Sequence, residues 1–250
     1  MLAGLVIYLS GGRDLPPDAV RGASVVRRKL GAQEFRVVTF IVLMLPLLTL
    51  FWIAQTQIWN TYNLWARDHV DLAIGSWKMP VPWLQSVDAL GVVVLLPPLL
   101  QFWRWQAARS REPNDVTKLA VGCLLFSLAI AWLACGELVA DATGKVPLVW
   151  ALFYHIFSAV GYLYFAPVAV AVFSRTAPAS VNAMMIGIYY LSIFAGSAIS
   201  GRLGGLYERL SSAQFWLIHA AIVAAGGLLI LSFSSRLRRE LTRAPNRSPT

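Results

Sequence analysis

Residues 119–136, LAVGCLLFSLAIAWLACG, carry no charged side chain. As α-helix they rise about 27 Å, close to the roughly 30 Å thickness of a bilayer's hydrocarbon core. Lys118 and Glu137 bracket the run at its two ends. Comparable blocks recur, so that spans are predicted near 37–66, 83–105, 117–138, 147–173, 181–203 and 212–234. Composition points the same way. Hydrophobic residues make up 58% of the 250 and charged residues 13%, with a mean hydropathy of +0.63. A soluble globule averages roughly 25% charged residues, so this chain lacks the polar atoms to cover a water-facing surface. An all-α, polytopic membrane protein is predicted.

The formal charge of +9 would suit a nucleic-acid binder, but its distribution argues against one. Sixteen of the 21 Lys and Arg fall in alternate connecting segments: residues 11–36, residues 104–118, Arg175 and the C-terminal tail. That asymmetry is the positive-inside pattern, and it predicts a cytoplasmic first loop and C-terminus in a cell membrane. Membrane lipid is the expected macroscopic partner, with the basic tail within reach of anionic headgroups. No nucleic acid is expected.

Residues 1–10, MLAGLVIYLS, are apolar but would rise only about 15 Å, half a membrane. They read as the end of a truncated transmembrane helix. Residues 11–36 follow as a basic linker holding Pro16 and Pro17, then the six-helix bundle over 37–235 and a basic tail over 236–250. Six spans preceded by half a span suggest the second half of a twelve-span protein.

Within the first span, Thr49, Thr56, Asn60 and Asn63 keep the spacing of one helical face, with Gln57 and Thr61 beside them. Lipid cannot satisfy such amides, so the face is expected to line a cavity or a seam between helices. Pro46, Pro97–Pro98 and Pro167 lie inside spans, where proline removes a helical hydrogen bond and bends the axis. Gly196, Ser197, Ser200, Gly201, Gly204 and Gly205 form a ladder of small residues that lets helices approach closely.

Asp88 lies about 8 Å into the second span, where a carboxylate is costly unless paired, hydrated or protonated. Glu137, Asp141 and Lys145 read as a solvated loop. His69, His155 and His219 are scattered without ligand spacing, so no metal is expected. Cys123 and Cys135 lie twelve residues apart on one helix and cannot bridge. There is no phosphate loop, dinucleotide fingerprint or nucleophile elbow. Neither enzymatic activity nor a cofactor is predicted.

Several fragments, in order and spacing, resemble the proton-dependent oligopeptide transporter family of the major facilitator superfamily. They are Phe51-Trp52 with Gln57 and Asn63-Leu64-Trp65-Ala66; Trp83-Leu84-Gln85-Ser86-Val87-Asp88; and Arg111-Glu112-Pro113 with Lys118 and Gly122. Gly161-Tyr162-Leu163, Pro167, Ala177-Pro178 and Met185 through Gly196 continue the series. The resemblance implies the six-helix C-terminal bundle of a major-facilitator fold. A missing N-terminal six-helix bundle would be its partner, and substrate would bind between the two at the midplane, with alternating access by rocking. It further implies proton-coupled uptake of di- and tripeptides or related solutes.

Where the family carries a glutamate after the glycine of its tenth span, this chain has Tyr162. Thr56 stands where an acidic residue often precedes the Gln of the seventh, Tyr189 replaces a tryptophan, and Asp88 replaces an asparagine. Asp88 is therefore expected to take over as partner for a substrate cation, with Tyr162 supplying a hydroxyl. The expected substrate-binding residues are Gln57, Asn60, Gln85, Asp88, Tyr162 and Tyr189, since amides both donate and accept toward a peptide. The competing reading is a non-transporting membrane module, or a degenerate transporter fragment, that binds a partner.

Overall fold

The computed structural model of the chain describes residue 10 and residues 31–242. The expected helix end before residue 10, the linker as far as residue 30 and the tail from residue 243 lie outside the described residues. The first helix, α1 (Ala32–Gln55), buries Val37, Ile41, Met44, Leu48 and Phe51, a stripe of alternating four- and three-residue steps that puts one face against the bundle. It starts at Ala32, inside the stretch read as linker.

The predicted 37–66 helix is broken. After Gln55 the backbone tightens into a 3₁₀ turn over Thr56–Trp59, Asn60 adopts φ −118° and ψ −105°, and α2 (Thr61–His69) begins afresh. Thr49, Thr56, Asn60 and Asn63 therefore do not share one uninterrupted face. The Thr56 hydroxyl donates to the Trp52 carbonyl at 2.8 Å, and the Ile58 carbonyl accepts from Asn63 at 3.5 Å and Gln85 at 3.4 Å. Polar side chains thus occupy backbone groups that a continuous helix would have paired.

α3 (Pro82–Ala108) starts on a proline at its first turn, where the missing N–H has no helical partner to lose. It packs chiefly on α5, and Leu84 is its one fully buried residue. α4 (Asp115–Cys135) is capped by the Asn114 carboxamide, which accepts from the Thr117 N–H at 3.0 Å. Near that cap the buried Lys118 ammonium bonds to Glu112 at 2.5 Å and lies 4.2 Å from the Trp103 ring centroid. Those contacts compensate its removal from water.

α5 (Leu148–Thr176), α6 (Asn182–Gly204) and α7 (Ser212–Thr242) complete, among the described residues, six helices long and apolar enough to cross a membrane. α4 packs most extensively on α7 and α5, and α1 on α6 and α7. The α4–α5 crossing is held by reciprocal glycines. A β-carbon on Gly122 would fall 2.9 Å from the Gly161 carbonyl, and one on Gly161 would fall 2.7 Å from the Phe126 nitrogen. The same helices are clasped by Trp132 and Trp150, whose rings stack 3.8 Å apart and whose indole N–H groups each donate to the other's carbonyl.

The small-residue ladder of α6 divides. Gly196 admits the Trp52 β-carbon to 2.5 Å of where its own would be and Gly204 admits the Asn60 amide to 2.9 Å, whereas Gly201 faces open space. Between α2 and α3 the chain makes short strands, β1 (Val70–Asp71), β2 (Ala73–Ile74) and β3 (Trp77–Lys78). β1 pairs in parallel with β4 (Val146–Pro147), and β2 pairs antiparallel with β3. The stretch read as a merely solvated loop is exposed but bonded. Asp141 accepts from the Thr143 hydroxyl and from the Thr143 and Lys145 N–H groups, which holds its carboxyl below the usual carboxylate range. Lys145 reaches the Asp68 carbonyl, and Glu137 meets His69 at 3.5 Å.

Candidate functional site

The break between α1 and α2 directs its polar side chains to different places. Gln57 is 1% exposed. Its amide nitrogen donates to the Ser200 carbonyl of α6 at 3.0 Å and contacts His219 Nε2 of α7 at 3.1 Å, while its oxygen accepts from the Thr61 hydroxyl at 2.6 Å. Because an amide nitrogen only donates, His219 accepts at Nε2 and carries its proton on Nδ1, which donates to the Phe215 carbonyl at 2.9 Å. Gln57 is therefore sealed into the bundle as a tie between α1, α6 and α7. Asn60 is exposed, with its amide over Gly204. Gln85 donates to Asn63 Oδ1 at 2.9 Å.

A second group lies where α2, α3 and α5 meet. Asp88 Oδ1 is 3.4 Å from His155 Nδ1, and His155 Nε2 is 2.8 Å from the Tyr62 hydroxyl. The exposures are graded, with the Asp88 side chain 18% accessible and that of His155 0%. Tyr62 stacks on Tyr154 with centroids 5.1 Å apart.

The third group is a cleft of about 350 Å³ between α1, α3, α5 and α6, whose lining includes Trp52, Val92, Leu96, Tyr162, Tyr189 and Tyr190. Trp52 meets Tyr162 edge-on at 6.3 Å. Pro167 also lines the cleft. Apolar walls with hydroxyls at their edges are suited to holding an apolar or aromatic side chain while leaving polar groups oriented.

Of the six residues read from the sequence, Tyr162 and Tyr189 share this cleft, whereas Asp88 sits with His155 and Tyr62. Gln85 is tied to Asn63, Asn60 covers Gly204, and Gln57 is committed to the bundle interior. Sequence reasoning did not single out Tyr62 at all, and it considered His155 and His219 only as metal ligands. The available signal was chemical: a carboxylate inside a span needs a partner, and His155 is the imidazole of an otherwise apolar block.

The chain resembles known transporters over most of its length. It is 25% identical over 183 residues to the transporter YclF of Bacillus subtilis, covering 73% of this chain and 37% of that protein. The peptide transporter YePEPT of Yersinia enterocolitica is 25% identical over 157 residues, covering 62% and 31%. A di-/tripeptide transporter of Lactococcus lactis is 20% identical over 209 residues, covering 82% and 41%. The chain thus spans between 31% and 41% of the length of these relatives. Its fold matches a peptide transporter of the POT family crystallised with sulfate, with a TM-score of 0.77 and 21% identity over 94% of this chain and 45% of that one. A POT family transporter in complex with 5-aminolevulinic acid matches with a TM-score of 0.74 and 19% identity, covering 94% and 52%. Proteins of this kind carry solutes rather than catalyse reactions, and because the family's model matches residues 20–225, this chain belongs to the POT family.

Proposed function

We propose that this chain forms the C-terminal half of a proton-coupled symporter for small peptides or related solutes, and supplies one wall of its substrate cavity. The observation that carries the reading is the aromatic cleft between α1, α3, α5 and α6, with Tyr162 and Tyr189 in its lining and a partly accessible Asp88 on α3, one of its walls. A peptide's ammonium group is drawn to the carboxylate, and its side chain is accommodated by Trp52 and the tyrosines. The other wall is an N-terminal six-helix bundle, against which α3 presents its long unburied flank. The positive-inside pattern of the first loop and the C-terminal tail supports their lying in the cytoplasm.

The direct test is uptake of a labelled dipeptide into proteoliposomes holding a complete transporter that includes this chain. An inward-directed proton gradient is expected to drive accumulation, and its collapse to abolish it. Uptake indifferent to the gradient would remove the coupling, and absence of any peptide uptake would favour a non-transporting module.

A further inference from the structure

We propose that the C-terminal end of α3, through Trp105, Arg109, Arg111 and Arg104, forms a site for the headgroup of an anionic phospholipid on the lipid-facing surface of the bundle. The site lies on the side of α3 turned away from the aromatic cleft. It goes beyond the transport reading and does not rest on it.

α3 changes character at this end. Phe102 and Trp105 are exposed on a helix otherwise apolar enough to cross a membrane, and their rings stack 5.8 Å apart. Exposed aromatic rings at the end of a span sit at the level of the lipid headgroups. Arg104, Arg109 and Arg111 come at the same level, and the backbone stops in a way that keeps them together. Ser110 adopts φ +53°, the left-handed region that a residue with a β-carbon seldom occupies. In that conformation the Ser110 N–H donates to the Ala107 carbonyl at 2.9 Å and the Arg111 N–H to the Gln106 carbonyl at 2.9 Å, the two bonds of a Schellman end. They satisfy carbonyls that the helix would leave open, and they fold Arg111 back against the turn that carries Arg109.

The Arg109 guanidinium carbon lies 4.0 Å from the Trp105 ring centroid. A guanidinium drawn to a ring keeps N–H groups for acceptors, and its planar fork matches two phosphate oxygens. No carboxylate of the bundle supplies those acceptors. The two acids nearest in sequence are engaged elsewhere, Glu112 by the buried Lys118 at 2.5 Å and Asp115 by Arg175 at 2.8 Å. Among the described residues no ion pair reaches Arg104, Arg109 or Arg111. Position then selects the source of the anion. Val92 and Leu96 line the cleft, and Trp105 and Arg109 follow them by thirteen residues each, which is about 220° further round the helix. Both therefore face away from the cleft and toward the bilayer, where headgroup phosphates are the acceptors at this depth. The positive-inside pattern supports this end lying in the cytoplasm, on the leaflet that carries anionic lipid. A soluble anion would meet the same arginines but would leave the Phe102–Trp105 surface in water, whereas a lipid's glycerol and upper chain carbons cover it.

The test is lipid retention by the purified full chain in detergent micelles, read by native mass spectrometry. The probes are palmitoyl-oleoyl phosphatidylglycerol and, as the comparison without net charge, phosphatidylcholine with the same acyl chains. Phosphatidylglycerol is expected to be held and phosphatidylcholine to be lost. Arg109→Gln is expected to weaken phosphatidylglycerol binding about fivefold. Trp105→Leu leaves every charge in place and is expected to weaken it as well, because the ring no longer orients the guanidinium. Arg202→Gln removes the same charge from an exposed position on α6 and is expected to leave retention unchanged. Melting temperatures in the same micelles report folding. Should Arg109→Gln lower its melting temperature, the double variant Arg104→Gln with Arg111→Gln takes its place and is expected to show the same loss. Equal retention of the two lipids, full retention in Trp105→Leu, an equal loss in Arg202→Gln, or displacement of the lipid by excess inorganic phosphate would overturn the site.

Discussion

Asp88→Asn in a complete transporter is expected to lower uptake of free-amine dipeptides at least about tenfold while leaving N-acetylated analogues within about twofold of the parent. The asymmetry follows from what the carboxylate faces. A carboxylate has about four acceptor positions, and the 3.4 Å contact with His155 uses one oxygen on the buried side. The remaining capacity is directed at the 18% of the side chain that is accessible. A charge-assisted hydrogen bond from a substrate ammonium is worth roughly 1.5–3 kcal/mol, or about one to two decades in affinity. Asparagine keeps the volume and loses the charge, so the preference for a free amine shrinks while the cleft proposed to take the side chain is untouched. Initial rates with the two peptide series measure this. An unchanged preference would mean that substrate amine is held elsewhere.

Gly161→Ala is expected to destabilise the bundle by about 2 kcal/mol or more, and Gly201→Ala to leave it unchanged or slightly stabilised. Both replace a helical glycine by alanine, so intrinsic propensity favours the substitution in each case by about 0.5–1 kcal/mol. What differs is the neighbour. At Gly161 the new β-carbon would stand 2.7 Å from the Phe126 nitrogen and 2.9 Å from its α-carbon, whereas at Gly201 it meets nothing within 4 Å. Backbone cannot swing aside as a flexible side chain can, so α4 and α5 must separate. Separation opens the Trp132–Trp150 clasp, whose rings are now 3.8 Å apart. Melting temperatures of the two variants in one detergent provide the comparison.

The six membrane helices were legible because hydrophobic length in a bilayer is a one-dimensional signal, as the charge-free run 119–136 shows. The break at Asn60 was not. No proline or glycine marks residues 56–60, and the Ile58 carbonyl is engaged by Gln85 from another helix. Gln57 illustrates the same limit. Its amide had to face the protein, but whether it met solute or His219, 162 residues away, is a matter of tertiary placement. The Asp88–His155 pair bridges 67 residues and left only half a trace, a carboxylate in a span without an evident partner. Small residues announced close packing in general, yet only contact geometry separates Gly161 and Gly196 from Gly201.

Accessibility of the cleft in a complete transporter tests most directly whether this chain walls a solute path. The exposed Cys135 is first replaced by serine, leaving the buried Cys123, and single cysteines are introduced as Val92→Cys, Tyr190→Cys and Leu128→Cys. Val92 and Tyr190 line the cleft between α1, α3, α5 and α6, while Leu128 lines a separate apolar groove with Trp132 and Phe157. A charged, membrane-impermeant maleimide is expected to label the first two and not the third, with saturating dipeptide slowing both reactions. Labelling of neither cleft position, or labelling at rates indifferent to peptide, would contradict the account.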